Sequence, residues 1–172
     1  MTPGWHLRSM PRLFPLQPRQ PSRRLPGCVY VRCGSYFVTT VVKNRSDVLS
    51  IVDGGNVSLT DVGHVAEDAL DAALERLSTI AVDSRVIMPD HVHLIVGMSI
   101  NNTYPLGQFV NAFKGLSARR INALWNCTGH FWQRGFHDRI IRNAAELAAY
   151  RRYVVNNPRR WTAEHSGPLA DM

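Results

Sequence analysis

Pro89-Asp90 splits the stretch from Ala81 to Met98 into two strand-like runs, Ala81–Met88 and His91–Met98. A turn-forming pair between two such runs fixes a tight antiparallel connection, so these segments form a hairpin. What flanks the hairpin sets the rest of the order. Upstream, Asp61–Thr79 places Val62, Val65, Ala66, Ala69, Leu70, Ala73, Leu74 and Leu77 at helical spacing, with Thr60 available as N-cap. Before it, Val29–Val42 carries Tyr36, Phe37, Val38, Thr39, Thr40, Val41 and Val42, the β-branched and aromatic composition of a first strand. Downstream, Pro105 opens a helix whose Leu106, Phe109, Val110, Phe113, Leu116, Ile121 and Leu124 recur on one side until about Trp125. His137–Arg142, with Ile140 and Ile141, reads as a fourth strand. Asn143 and Glu146 then start a third helix, and Pro158 is expected to end it. Strand, helix, strand, strand, helix, strand, helix is the split βαβ order: an α+β fold with a four-stranded antiparallel sheet, two helices on one face and an appended helix.

A chain of 172 residues is the size of one domain. Met1–Gly27 holds Pro3, Pro11, Pro15, Pro18, Pro21 and Pro26 and has no hydrophobic period, so 1–27 reads as a disordered leader, 28–160 as the working domain and 161–172 as a tail. No apolar run approaches the ~18 residues of a membrane span, and prolines interrupt the start before a secretory core can form. The three cysteines, Cys28, Cys33 and Cys127, leave one unpaired in any disulfide scheme, which favours a reducing cytoplasm. The formal charge of +7 points to an anionic partner, nucleic acid first. The excess is uneven: the leader carries arginines and no acid before Tyr30, Asp61–Glu75 is acidic, and the half from Asn101 to Arg160 is strongly basic.

His91 and His93 are separated by one residue on a strand, so the pleat aims both imidazoles at one face while Val92, Leu94 and Val96 take the other. With the two crossover helices covering the valine side, the histidine side is left for a ligand, and a divalent metal suits neutral imidazole. The plain alternative is a pair of half-exposed polar residues. On the third helix Tyr153 and Asn157 stand four apart on one face, with Tyr150 a turn earlier. If that helix crosses the histidine face, Asn157 becomes a third, oxygen-donating ligand and Tyr153 sits beside the ion. Asn156 substitutes if Pro158 distorts the helix end. Such a set supports phosphodiester transesterification: a tyrosine hydroxyl attacks phosphorus, assisted by a metal on the non-bridging oxygens, and a phosphotyrosine preserves the bond energy for rejoining.

The segments Met88-Pro89-Asp90-His91-Val92-His93-Leu94-Ile95-Val96, Trp132–Asn143 and Tyr153-Val154-Val155-Asn156-Asn157-Pro158 resemble, in order, the signature segments of the single-tyrosine, His-hydrophobic-His transposases, and among these the REP-associated tyrosine transposases. With Gly34–Lys43 and Phe109–Lys114 the similarity extends over most of Gly34–Pro158. The resemblance implies a ferredoxin-like fold, a Mg²⁺ or Mn²⁺ site, and cleavage of single-stranded DNA next to imperfect hairpins. His91 and His93 match the metal-binding pair, Tyr153 the nucleophile and Asn157 the third polar ligand, where some relatives carry glutamine; Tyr150 is the alternative nucleophile. Some relatives pair catalytic helices between two subunits and others act alone, so a homodimer and a monomer are both open.

Lys114, Arg119, Arg120, Arg134, Arg139 and Arg142 are candidates for phosphate contacts. Trp132 and Phe136 belong either to the core or to a base-stacking surface. A zinc site from Cys28, Cys33, Cys127 and His130 has poor spacing in its first half. The expected function is a metal-dependent DNA endonuclease and strand transferase. Its rivals are a hairpin-DNA-binding protein that does not cut and a metal phosphodiesterase that uses water.

Overall fold

A computed structural model describes residues 34–165. The leader, the start of the first strand, Cys28, Cys33 and the last residues of the tail lie outside them. The order is β1 (Gly34–Val41), a 3₁₀ turn (Lys43–Arg45), β2 (Ser50–Asp53), β3 (Asn56–Leu59), α1 (Asp61–Glu75), β4 (Ile80–Ile87), β5 (His91–Met98), α2 (Leu106–Leu124), β6 (His137–Ile141) and α3 (Ala144–His165). The main sheet is antiparallel in the order β4-β5-β1-β6, the ferredoxin-like arrangement expected from the sequence.

The pleat separates two cores. Tyr36, Val38, Val92, Leu94 and Val96 pack with Leu70, Ala73, Phe109 and Phe113 of α1 and α2. On the opposite face Ile95 and Ile141 pack with Val154 of α3, flanked by Phe37, Leu147 and Tyr150. The sheet is therefore covered on both sides, and α3 lies over the histidine face. Thr60 caps α1, its hydroxyl accepting from the Gly63 N–H at 3.1 Å. Asn143 Oδ1 accepts from the Glu146 N–H at 2.8 Å, while Glu146 reaches back to the Arg142 N–H at 2.9 Å. The two bonds start α3 in a variant of the capping box, the Glu146 carboxylate accepting from the residue before the N-cap.

Several boundaries differ from the sequence expectation. α1 ends at Glu75, and Leu77 reaches the same core from the following turn, which is why the apolar period outlasts the helix. A second sheet, the hairpin β2–β3, was not anticipated; Gly54 and Gly55 turn it with φ of 53° and 83°, the left-handed values of a tight hairpin turn. Pro158 does not end α3. The proline forfeits one helical hydrogen bond, yet it is buried, and the residues beyond it are held: Trp161 lies 5.9 Å from the His91 ring and Thr162 Oγ1 accepts from the Gly55 N–H at 3.2 Å. The helix continues through residue 160, where the sequence places the end of the working domain.

Gly63 lets α1 approach the strand segment before β2. A methyl group there would overlap the Leu49 carbonyl oxygen, which accepts from the Thr60 N–H at 3.1 Å. Gly63→Ala is expected to lower stability by about 1–3 kcal/mol through this overpacking. Urea unfolding measures it; an unchanged midpoint contradicts the close approach.

Candidate active site at the histidine face

The site forms where β5, β1 and α3 meet. His93 is buried at 2 % exposure, and its register partner Thr39 places a hydroxyl 2.8 Å from His93 Nδ1. His91 Nδ1 is hydrogen-bonded to the buried carboxylate of Asp90. The remaining ring nitrogens converge, His91 Nε2 standing 3.1 Å from His93 Nε2. An ionised Asp90 accepts from His91 Nδ1–H, and in the neutral ring this leaves the lone pair on His91 Nε2. His93 either lends a proton to that lone pair or, with its Nδ1–H turned to Thr39, offers a second one.

Charge supports this arrangement. Burial alone would raise the Asp90 pKa, but the hydrogen bond and charge of His91, together with Arg45, hold it below the usual carboxylate range. Arg45 Nη1 lies 2.9 Å from Asp90 Oδ2. Its backbone is left-handed, φ 52°, as is that of Asn44, φ 59°, in the turn after β1. Burial, then the neighbouring His91, keeps His93 protonation well below the ordinary histidine range, so the ring is neutral at physiological pH. A neutral imidazole with a free lone pair is the form that binds metals.

α3 lays one stripe across these rings. Tyr150 stacks on Phe37 at 4.6 Å between centroids; Tyr153 meets Phe37 edge-on at 5.7 Å and lies 5.3 Å from His93. Asn157, one turn further, is buried at 7 % exposure, whereas Asn156 is exposed, so Asn157 is the amide that faces inward. Its amide is close enough to the Tyr153 hydroxyl to favour the charged phenolate. Burial pushes the Tyr153 pKa up; Arg160 and Asn157 pull against it, and Glu164 and Tyr150 add to it. A β-bulge at Asp83 helps hold the helix, because Arg151 Nε donates to the Asp83 carboxylate at 2.9 Å.

The donor set fits a divalent cation. Ligand nitrogens about 2.1 Å from one ion in adjacent positions stand about 3 Å apart, matching the Nε2 separation. Among the described residues no three His, Cys, Asp or Glu side chains cluster as a metal site; the buried Asn157 amide is an oxygen donor on the helix that covers the histidine pair.

The six candidate phosphate contacts do not gather in one place. Lys114, Arg119 and Arg120 belong to α2, on the far face of the sheet. Lys114 Nζ donates to the Gln133 carbonyl at 2.7 Å and to that of Gly135, and burial lowers its pKa, so this lysine clamps the loop before β6. Arg134 is exposed in that loop and Arg142 lies 3.8 Å from Glu146. Arg139 faces the same side as Phe37, its register partner, and so shares the histidine face. Trp132 is core: it is buried against Phe113, with Nε1 donating to Ser117 Oγ at 2.9 Å. Phe136 packs against the same core. Cys127 and His130 are exposed. Asp90, Thr39 and Arg45 are functional neighbours that sequence reasoning did not single out; only the position of Asp90 beside His91 carried a signal.

Comparison with known proteins agrees with this architecture. Residues 58–157 match the family model described as "Transposase IS200 like". An uncharacterised protein of Haemophilus influenzae is 24% identical over 163 residues, covering 81% of this chain and 88% of the relative. Among solved structures, a REP-associated tyrosine transposase bound to a REP hairpin superimposes with a TM-score of 0.63 at 19% identity, over 77% of this chain and 70% of that one. A proposed transposase from Deinococcus radiodurans gives 0.51 at 23% identity, over 74% and 92% respectively. No helix among the described residues is long and apolar enough to cross a membrane. The family match spans more than half of the sequence and contains both histidines, Tyr153 and Asn157: the chain belongs to the IS200-like transposase family.

Proposed function

We propose that the protein is a metal-dependent endonuclease and strand transferase for single-stranded or hairpin DNA, with Tyr153 as nucleophile and His91, His93 and Asn157 as ligands of Mg²⁺ or Mn²⁺. The observation that carries this reading is the convergence of two imidazole nitrogens 3.1 Å apart, with the Tyr153 ring centroid 5.3 Å from that of His93. A cation bound there would polarise the phosphate and stabilise charge on its non-bridging oxygens. Family membership and the likeness to a transposase bound to a REP hairpin favour DNA of that kind as substrate.

The chain's own groups account for the remaining steps. α3 holds the Tyr153 hydroxyl beside the phosphate, and Asn157 favours the phenolate as charge develops on the oxygen. Tyr153 Oη bonds to phosphorus while one P–O ester bond breaks, and the departing strand's oxygen receives the proton the phenol gives up. A strand hydroxyl reverses the exchange, joining DNA without an external energy source. Phe37 and Tyr150 pack around the ring and limit its rotamers.

The test is incubation with labelled hairpin-bearing single-stranded DNA and Mn²⁺, followed by denaturation. Wild type is expected to yield a DNA–protein adduct and Tyr153→Phe none, a loss of roughly 10³-fold or more, with DNA affinity changed little. Cutting by Tyr153→Phe at the wild-type rate would make the protein a hydrolase using water. An intact but retarded substrate with wild type would make it a binding protein.

A further inference from the structure

We propose that Arg160 holds the scissile phosphate beside Tyr153, its guanidinium receiving the non-bridging oxygens while the phenolic oxygen attacks. The assignment rests on Tyr153 as nucleophile but goes beyond it, because nothing in the chemistry of the histidine pair requires an arginine.

Tyr153, Asn157 and Arg160 follow one another at spacings of four and three, hence on one face of α3. The Arg160 guanidinium carbon lies over the Tyr153 ring, 5.4 Å from its centroid. Several other arginines of the fold are committed to acids. Arg45 pairs with Asp90, Arg85 with Glu67 and Asp71, Arg142 with Glu146 and Arg151 with Asp83. Among the described residues no carboxylate lies within ion-pair distance of Arg160; Glu164, a turn further on, acts on the Tyr153 charge without pairing with the guanidinium. Arg160 is half-buried, so a phosphate entering there meets a cation with its donors uncommitted to an acid and partly shielded from water.

Attack on a phosphodiester moves negative charge from the phenolic oxygen onto the two non-bridging oxygens. A guanidinium presents a planar fork of N–H donors that matches two such oxygens, and it stays charged throughout, so it exchanges no proton in the step. Lying over the phenol ring, it can follow that charge from the nucleophile to the phosphate. Electrostatic donors placed where charge develops contribute about 10²–10³ in rate.

The experiment measures single-turnover adduct formation at saturating hairpin-bearing oligonucleotide and Mn²⁺ for wild type, Arg160→Ala, Arg160→Gln and Arg160→Lys. Dissociation constants for the same oligonucleotide and melting curves are measured alongside. Expected is a fall of roughly 100-fold or more for the alanine and glutamine variants, with DNA affinity within about threefold of wild type, partial recovery in the lysine variant, and restoration of Arg160→Ala by millimolar guanidinium. An adduct rate within threefold of wild type, or a loss that guanidinium does not restore in a protein that melts normally, overturns the assignment while leaving Tyr153 in place. A wild type that forms no Tyr153-dependent adduct removes both.

Discussion

His91→Ala and His93→Ala are each expected to abolish Mn²⁺-dependent cutting, by roughly 10³-fold or more, while leaving most of the salt-sensitive DNA affinity. A Lewis-acid contribution of several kcal/mol corresponds to that factor at 1.36 kcal/mol per decade. Affinity survives because it comes from phosphate neutralisation by many cations, and most of those on this molecule lie away from the histidines. Arg119 and Arg120 are on α2, across the sheet, and Arg134 is in the loop before β6. Gel retardation at two salt concentrations, run beside the cutting assay, separates the two effects. Cutting at the wild-type rate by either variant, or equal cutting in a chelator, refutes the metal site. His93 also bonds to Thr39 in the core, so His93→Ala melts lower than His91→Ala, whose ring sits at the edge of the same cluster.

Asp90→Ala is expected to weaken Mn²⁺ binding by about 10–100-fold, the usual effect of removing a carboxylate that orients a ligating histidine. Asp90 fixes the His91 tautomer through Nδ1, and without it Nε2 is no longer held as an acceptor. Titration calorimetry or Mn²⁺ paramagnetic resonance reads this without any cleavage; unchanged affinity contradicts the role. The same residue shapes acid stability. The Asp90 pKa is lower in the fold than the free value of 3.8, so its contribution is complete above that value and is lost as pH falls through the folded one. His93 has its pKa depressed from 6.5, and the buried ring refuses a proton that the unfolded chain accepts. Stability of the metal-free protein therefore falls first as pH drops below about 6.5, and again below about 3.8. Asp90→Asn is expected to shrink the lower step, to which Asp83 paired with Arg151 also contributes, and to leave the upper one in place, which urea midpoints against pH would display.

Periodicity made most of this fold legible. The alternation around His91-Val92-His93 predicts which side chains share a face, and the sheet obeys it because one face has to bury Val92, Leu94 and Val96. The helical stripes before Leu77 and after Pro105 are equally plain. The hairpin β2–β3 was missed because its strands are four residues long and half exposed; Gly54-Gly55 was the readable signal. Pro158 misled because a proline rule weighs only local hydrogen bonding. The packing of Trp161 and Thr162 against distant residues decides the outcome, and that packing is invisible along the chain. The same limit applies at the site. His91, His93, Tyr153 and Asn157 announce themselves by spacing, whereas the contact of Asp90 with Arg45 depends on a left-handed turn that brings residues 45 apart in sequence together. Lys114 is the converse case: it reads as a free cation, but its ammonium is taken up by two carbonyls of a loop that only the fold brings near.

The most direct measurement is to locate the covalent bond. Hairpin-bearing DNA is cut in Mn²⁺, the protein is digested, and the peptide that retains a nucleotide is sequenced by mass spectrometry. A nucleotide esterified to Tyr153, absent when His91 is replaced by alanine, is the predicted result. A nucleotide on Tyr150 or another residue, or cut strands with no attached peptide, would contradict it.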